Sequence, residues 1–168
     1  IAADIAGGSG SDTITGSSAD DVIYGDGYES VGVIGDQGNY GPVDRTMNAW
    51  GTASASDGVD TIAAGAGNDW VNAGGGDDTV DGGTGNNTIY GGAGNDAITT
   101  VDGNDVIYGD DLNSTLTGND TIDSGAGDDR VYGGKGADKL TLGAGNDQAW
   151  GGDDNDIIAG NSGNDTIN

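Results

Sequence analysis

The chain has 168 residues, 37 of them Gly, and sets 4 Lys and Arg against 29 Asp and Glu for a formal net charge of −25. Cys and His are absent, which excludes a disulfide, a thiolate nucleophile, a Ser-His-Asp triad and a zinc site of the usual kind. So acidic a chain repels a phosphate backbone, which excludes nucleic acid as a partner, and no apolar run approaches the roughly 20 residues of a membrane span.

Along the chain, residues 1–6 read as the tail of a nine-residue unit with Ile5 facing inward. Two nonads follow over 7–24, the first being GGSGSDTIT (Gly7 to Thr15). A 30-residue insertion is expected over 25–54, with Val31 to Ile34 as a short strand and Trp50 anchoring the return. Six nonads fill 55–108, including GGTGNNTIY (Gly82 to Tyr90) and GGAGNDAIT (Gly91 to Thr99). A second insertion, GDDLNS over 109–114, precedes six more nonads over 115–168.

These fourteen units account for 126 residues of one domain, 1–168. Place six is Asp in 13 of 14, Asn87 being the exception, and place eight is Ile, Val or Leu in 13 of 14, with Ala149 departing. Place four is Gly in 12 of 14, where Ala19 and Asp154 depart. Each unit alternates a six-residue glycine-rich loop with a three-residue strand over places seven to nine. Successive strand side chains alternate faces, so place eight points inward and one aliphatic per unit predicts a thin core.

The pattern G-G-x-G-x-D-x-U-x resembles the nonapeptide repeat of RTX (repeats-in-toxin) calcium-binding proteins. The resemblance implies an all-β fold, a right-handed parallel β-roll (β-solenoid) with two nonads per turn and calcium ions between successive turns. It also implies a protein exported unfolded from Gram-negative bacteria that folds outside the cell or at its surface, where calcium is abundant.

The residue chemistry agrees. Carbonyls freed by glycine and one short carboxylate per unit are the hard oxygen donors that Ca²⁺ collects in sets of 6 to 8, whereas Mg²⁺ dehydrates reluctantly. With two nonads per turn, place six should stack in two columns. One holds Asp12, Asp60, Asp78, Asp96, Asp120, Asp138 and Asp156; the other holds Asp21, Asp69, Asn87, Asp105, Asp129, Asp147 and Asp165. An ion in every gap would make up to about 12, the ligand set being oxygen. Two carboxylates about 5 Å apart repel by roughly 3 kcal/mol at an effective dielectric near 20, so a metal-free coil should not hold.

Sorting place nine by parity puts Tyr24, Tyr90, Tyr108, Tyr132 and Trp150 on one sheet, with Trp70 at place seven of the same sheet. That strip reads either as cross-strand stacking or as a surface for a polysaccharide or a neighbouring domain. The opposite sheet is small and Thr-rich. No nucleophile is supported by an acid/base pair, so a catalytic role is not expected. Neither end shows a polar cap, so part of a longer protein or end-to-end self-association is expected. The leading function is a calcium-folded structural or export module of a secreted protein; the alternatives are a surface-layer, adhesin or filament repeat, or a glycan-binding module.

Overall fold

The computed structural model describes residues 4–7, 11–25, 58–110 and 117–168. The expected strand at Val31 to Ile34 and the anchor at Trp50 lie outside them. The described strands are β1 (Asp4–Ala6), β2 (Thr13–Thr15), β3 (Val22–Tyr24), β4 (Thr61–Ala63), β5 (Trp70–Gly75), β6 (Thr79–Asp81), β7 (Thr88–Ala93) and β8 (Ala97–Thr99). They continue as β9 (Val106–Asp110), β10 (Thr121–Asp123), β11 (Arg130–Lys135), β12 (Lys139–Thr141), β13 (Gln148–Asp153), β14 (Ile157–Ala159) and β15 (Thr166–Ile167).

Every strand pairs in parallel with the one two places ahead, for example β2 with β4 and β3 with β5. The odd-numbered strands build an eight-stranded sheet in the order β1-β3-β5-β7-β9-β11-β13-β15, and the even-numbered strands a seven-stranded sheet from β14 to β2. The chain therefore coils between two facing sheets, two nonads per turn, as a parallel β-solenoid.

Register follows the repeat. Place eight faces place eight in the next turn, as in Ile14↔Ile62, Ile98↔Ile122 and Ile89↔Ile107. The strands alternate exposed, buried, exposed, so the aliphatic at their centre enters the core. Ile5 and Ile158 pack on that core near its two ends.

Place one adds a second inward position, absent from the thin core the periodicity predicts. Ala64, Ala73 and Leu142 belong to the apolar cluster, and Thr100 and Ser124 are buried. The extra column arises at the turn. Place one immediately follows the strand, so after place eight points in and place nine out, place one points in again.

The two corners differ. After the eight-stranded sheet, β5, β7, β9, β11 and β13 run on through the first places of the next loop, pairing Gly74↔Gly92 and Gly134↔Gly152. At the other corner only single bridges continue, such as Ala66↔Thr84 and Thr84↔Asp102. Place four needs glycine because its φ is left-handed: Gly94 has φ 128°, and a Cβ there would collide with the Gly76 carbonyl. Asp154 takes the same place with a side chain, at φ 77°.

Gly25 and Gly109 remain part of the coil. The Gly25 N–H donates to the Asn72 carbonyl at 2.8 Å, and Gly109 with Asp110 closes β9. They fill the opening places of the loops that end on Asp60 and Asp120, a role the nine-residue frame assigns to Ala55 and Thr115.

Candidate metal sites

Place six forms two continuous ladders. In the first, each main-chain N–H donates to the Oδ1 of the next turn's aspartate: Asp12 to Asp60 (2.8 Å), Asp60 to Asp78 (2.7 Å) and Asp78 to Asp96 (2.9 Å). It continues from Asp96 to Asp120 (2.9 Å), Asp120 to Asp138 (2.8 Å) and Asp138 to Asp156 (3.0 Å). The second runs Asp21 to Asp69 (2.6 Å), Asp69 to Asn87 (2.9 Å) and Asn87 to Asp105 (2.7 Å). It ends Asp105 to Asp129 (2.8 Å), Asp129 to Asp147 (2.9 Å) and Asp147 to Asp165 (3.1 Å). The structure thus brings together all thirteen aspartates and Asn87, in the two columns and the order expected.

One carboxylate oxygen is spent on this ladder; the other is not. The Oδ2 atoms of Asp12, Asp69, Asp96, Asp120, Asp138 and Asp147 are buried and accept no hydrogen bond. A buried carboxylate oxygen without a donor is costly unless a cation meets it. Nor do they stand alone. At Gly7 an added Cβ would lie 2.6 Å from Asp12 Oδ2 and 2.7 Å from the Gly25 carbonyl oxygen. Gly91, Gly109 and Gly133 repeat the arrangement, each cradled by its own loop's aspartate Oδ2 and a glycine carbonyl of the next turn. On the second column Gly16 is cradled by Asp21 Oδ2 and the Ala64 carbonyl. Glycine is required there because a side chain would fill the space between carboxylate and carbonyl. Among the described residues no three carboxylates converge as a cluster, so an ion there would draw on backbone carbonyl oxygens beside the carboxylates. That donor set suits Ca²⁺, which accepts backbone carbonyls in a flexible shell, better than a carboxylate-poor Mg²⁺ octahedron.

The electrostatics point the same way. Burial pushes the Asp96 carboxyl up to about 9; the Asp78 N–H opposes this, and the charges of Asp120, Asp78 and Asp110 add to it. Burial likewise raises Asp120 to about 7 and Asp129 to about 6, each opposed by its ladder N–H. Asp69, Asp105, Asp138 and Asp147 are raised for the same first reason. Without a counter-charge, burial at these positions works against the ionised carboxylate.

Asn87 breaks the second column. Its Oδ1 holds the ladder bond from Asp69, but its Nδ2 is buried with no acceptor. Nearby, a Cβ on Gly82 would meet the Ile89 Cδ1 and Thr100 Cγ2 methyls rather than an oxygen. An amide donor beside methyl groups is the wrong chemistry for a cation.

A further ladder escaped the sequence reading. At exposed place five, Asp20 Oδ1 accepts from Asn68 N (2.8 Å), Asn68 Oδ1 from Asn86 N (2.7 Å) and Asn86 Oδ1 from Asn104 N (2.7 Å). Asp77, Asn95 and Asn119 repeat this on the other edge. Its mark in the sequence is Asx at place five in 11 of 14 nonads.

The six strip aromatics form one column on the eight-stranded sheet. Tyr90–Tyr108, Tyr108–Tyr132 and Tyr132–Trp150 stack with centroids 4.8, 4.7 and 4.6 Å apart and planes within 8°. Tyr24–Trp70 and Trp70–Tyr90 are tilted, at 5.1 and 5.8 Å. Asn72 interrupts the place-nine column between Tyr24 and Tyr90, and Trp70, from place seven of the same strand, supplies the missing ring. The stacked ring faces are turned towards one another.

A parallel β-solenoid whose loops stack buried carboxylates beside backbone carbonyls has the architecture of a β-roll. The sequence profile described as RTX calcium-binding nonapeptide repeat (4 copies) matches residues 4–27, 54–89, 81–116, 114–140 and 135–167. The chain belongs to the RTX calcium-binding nonapeptide repeat family, a structural rather than catalytic one. No curated protein and no solved structure gave a match.

Proposed function

We propose that this chain is a calcium-folded module of a larger secreted or cell-surface protein, disordered where calcium is scarce and coiled where it is plentiful. The observation that carries the reading is the buried Oδ2 atoms of Asp12, Asp96, Asp120 and Asp138, each beside a glycine carbonyl of the next turn, where a hard cation would satisfy both. Asp12, Asp60, Asp78, Asp96, Asp120, Asp138 and Asp156 would serve one edge; Asp21, Asp69, Asp105, Asp129, Asp147 and Asp165 the other. Calcium supplies the positive charge that lets these carboxylates stay ionised inside the coil. The protein's part is to orient them: from Asp60 and Asp69 onward the ladder N–H groups hold Oδ1 and turn Oδ2 towards the ion, while Asp21 Oδ2 also accepts from the Ser17 N–H. Of the twelve gaps, the two that border Asn87 lack a full carboxylate pair.

Because the site exists only in the coil, ion binding is folding free energy. Sites of this kind with affinities of about 10⁻⁴ to 10⁻³ M suit extracellular modules, and cytosolic calcium would leave the chain open for export. The strip rings spend their faces on one another, which supports stiffening over a platform for sugar rings.

Far-ultraviolet circular dichroism in calcium and in chelator tests the reading, together with equilibrium dialysis of ⁴⁵Ca. The expected result is a cooperative β transition on adding calcium and several ions bound per chain. A chelated chain that already shows the full β spectrum and the same thermal midpoint refutes it.

A further inference from the structure

We propose that the two edges of the roll hold calcium unequally: the first place-six column, which includes Asp96 and Asp120, fills first, and side chains at place one make the second column a weaker, later edge. The inference rests on the calcium reading and adds to it which carboxylates dominate. The difference lies at the head of each loop. Place one of the first column is glycine in six of seven loops, Ala73 being the departure. A Cβ at Gly25, Gly91, Gly109, Gly133 or Gly151 would run into the Oδ2 of the aspartate that ends its own loop. At Gly91, Gly109 and Gly133 it would also meet the glycine carbonyl of the next turn, so carboxylate and carbonyl oxygens share the space that glycine leaves open.

The second column is built otherwise. Only its first and last loops begin on a glycine that meets its own aspartate, Gly16 with Asp21 and Gly160 with Asp165. The loop of Asn87 begins on Gly82 beside methyl groups, and the four others begin on Ala64, Thr100, Ser124 and Leu142, all buried. Two carbonyls are also committed. Thr100 Oγ1 donates to the Ser124 carbonyl at 2.8 Å, and Ser124 Oγ to the Leu142 carbonyl at 2.9 Å. These place-one carbonyls of the next turn are the counterparts of the Gly109, Gly133 and Gly151 carbonyls in the first column. Calcium collects 6 to 8 oxygens, so a carbonyl that already accepts a hydroxyl proton, or an aliphatic group beside the carboxylate, weakens the site. The carboxyls respond in step. In the first column burial pushes Asp96 up to about 9 and Asp120 to about 7, and neighbouring aspartates add to both. In the second, burial raises Asp105 and Asp129, but the Thr100 and Ser124 hydroxyls join the ladder N–H groups in opposing it. Place one there supplies part of what an ion would.

The test uses the full chain, with calcium as the probe. Asp120→Asn and Asp129→Asn each remove one buried carboxylate, one per column, while the amide Oδ1 keeps the ladder bond. Calcium titrations followed by circular dichroism give the midpoint of coiling. Calcium affinity follows ligand charge, so the midpoint should rise about threefold in Asp120→Asn and less than about 1.5-fold in Asp129→Asn. Ser124→Gly opens place one and releases the Leu142 carbonyl; in that background, adding Asp129→Asn should raise the midpoint about threefold. Equal shifts for Asp120→Asn and Asp129→Asn, or an Asp129→Asn shift that Ser124→Gly leaves unchanged, overturn the proposal. If either variant fails to coil at any calcium concentration, Asp138→Asn and Asp147→Asn, again one per column, make the same comparison. A parent chain that does not coil in calcium fails the calcium reading; a parent that coils with both columns equal fails only this inference.

Discussion

Asn87→Asp is the sharpest single test of the ladder account. The substitution is nearly isosteric. Oδ1 keeps the 2.9 Å bond from Asp69 N, and a charged oxygen replaces the buried Nδ2 that has no acceptor. Its neighbours in the column, Asp69 and Asp105, lie one turn away on either side, at a strand spacing of about 4.8 Å. Each pair of charges then repels by roughly 3 kcal/mol at an effective dielectric near 20, about 6 kcal/mol in all. That is comparable with the roughly 5–15 kcal/mol stability of a whole domain, so the variant in chelator should be further from the coil than the parent. In calcium the sign reverses, because two gaps gain a carboxylate pair. The assay is ⁴⁵Ca dialysis for stoichiometry, with calcium titrations followed by circular dichroism. The variant should bind up to two more ions and show a higher thermal midpoint in saturating calcium. An unchanged ion count together with an unchanged midpoint in both media would refute the reasoning.

Protons should imitate calcium in the metal-free chain. Asp96, Asp120 and Asp129 have folded values raised to about 9, 7 and 6 from an ordinary 3.8, so their stabilisation is complete below about pH 4 and is lost as pH rises through 6, 7 and 9. In chelator, β structure should therefore grow on acidification, and a chain more ordered at about pH 8 than at about pH 4 contradicts this. Leu142→Ala removes a fully buried place-one side chain and should cost about 2–5 kcal/mol by urea unfolding in calcium; a cost near zero would show that place one is not core. Asp154→Gly relieves a left-handed φ of 77° and, set against the looser unfolded chain, should raise calcium-loaded stability by about 1 kcal/mol or less. A lower thermal midpoint in that variant would count against strain at place four.

The columns were legible because the period is a strict nine over long stretches: a two-nonad turn then sends Asp60, Asp78 and Asp96 to one edge by counting alone. The same counting found the strip, including Trp70 on the sheet of Tyr90. It could not find the ring contact of Trp70 with Tyr24 and Tyr90, since that depends on an indole crossing from place seven into the space beside Asn72. Place one was hidden for a different reason. Gly, Ala, Thr, Ser and Leu share no hydropathy there, so no periodic apolar mark betrays that Leu142 and Ala64 turn inward. The place-five ladder is marked in the sequence only by Asx composition, which does not separate it from solvated polar surface. Its meaning lies in hydrogen bonds one turn apart.

The place-five and place-six ladders divide the work of holding a turn. Place five is exposed and mainly amide, so Asn68, Asn86 and Asn104 join loops by neutral hydrogen bonds that cost no charge repulsion. Place six is mostly buried and almost wholly carboxylate, so its ladder bonds bring negative charge into the interior of a chain with 4 Lys and Arg to 29 acids. A coil held by place five alone would gain from replacing every place-six Asp with Asn, as at Asn87. The chain does so at one of fourteen positions. Retaining thirteen carboxylates there, ten of them buried, makes physical sense if the coil is meant to depend on an ion. On the proposed calcium reading, the feature that disfavours the metal-free coil would also make the coil a switch.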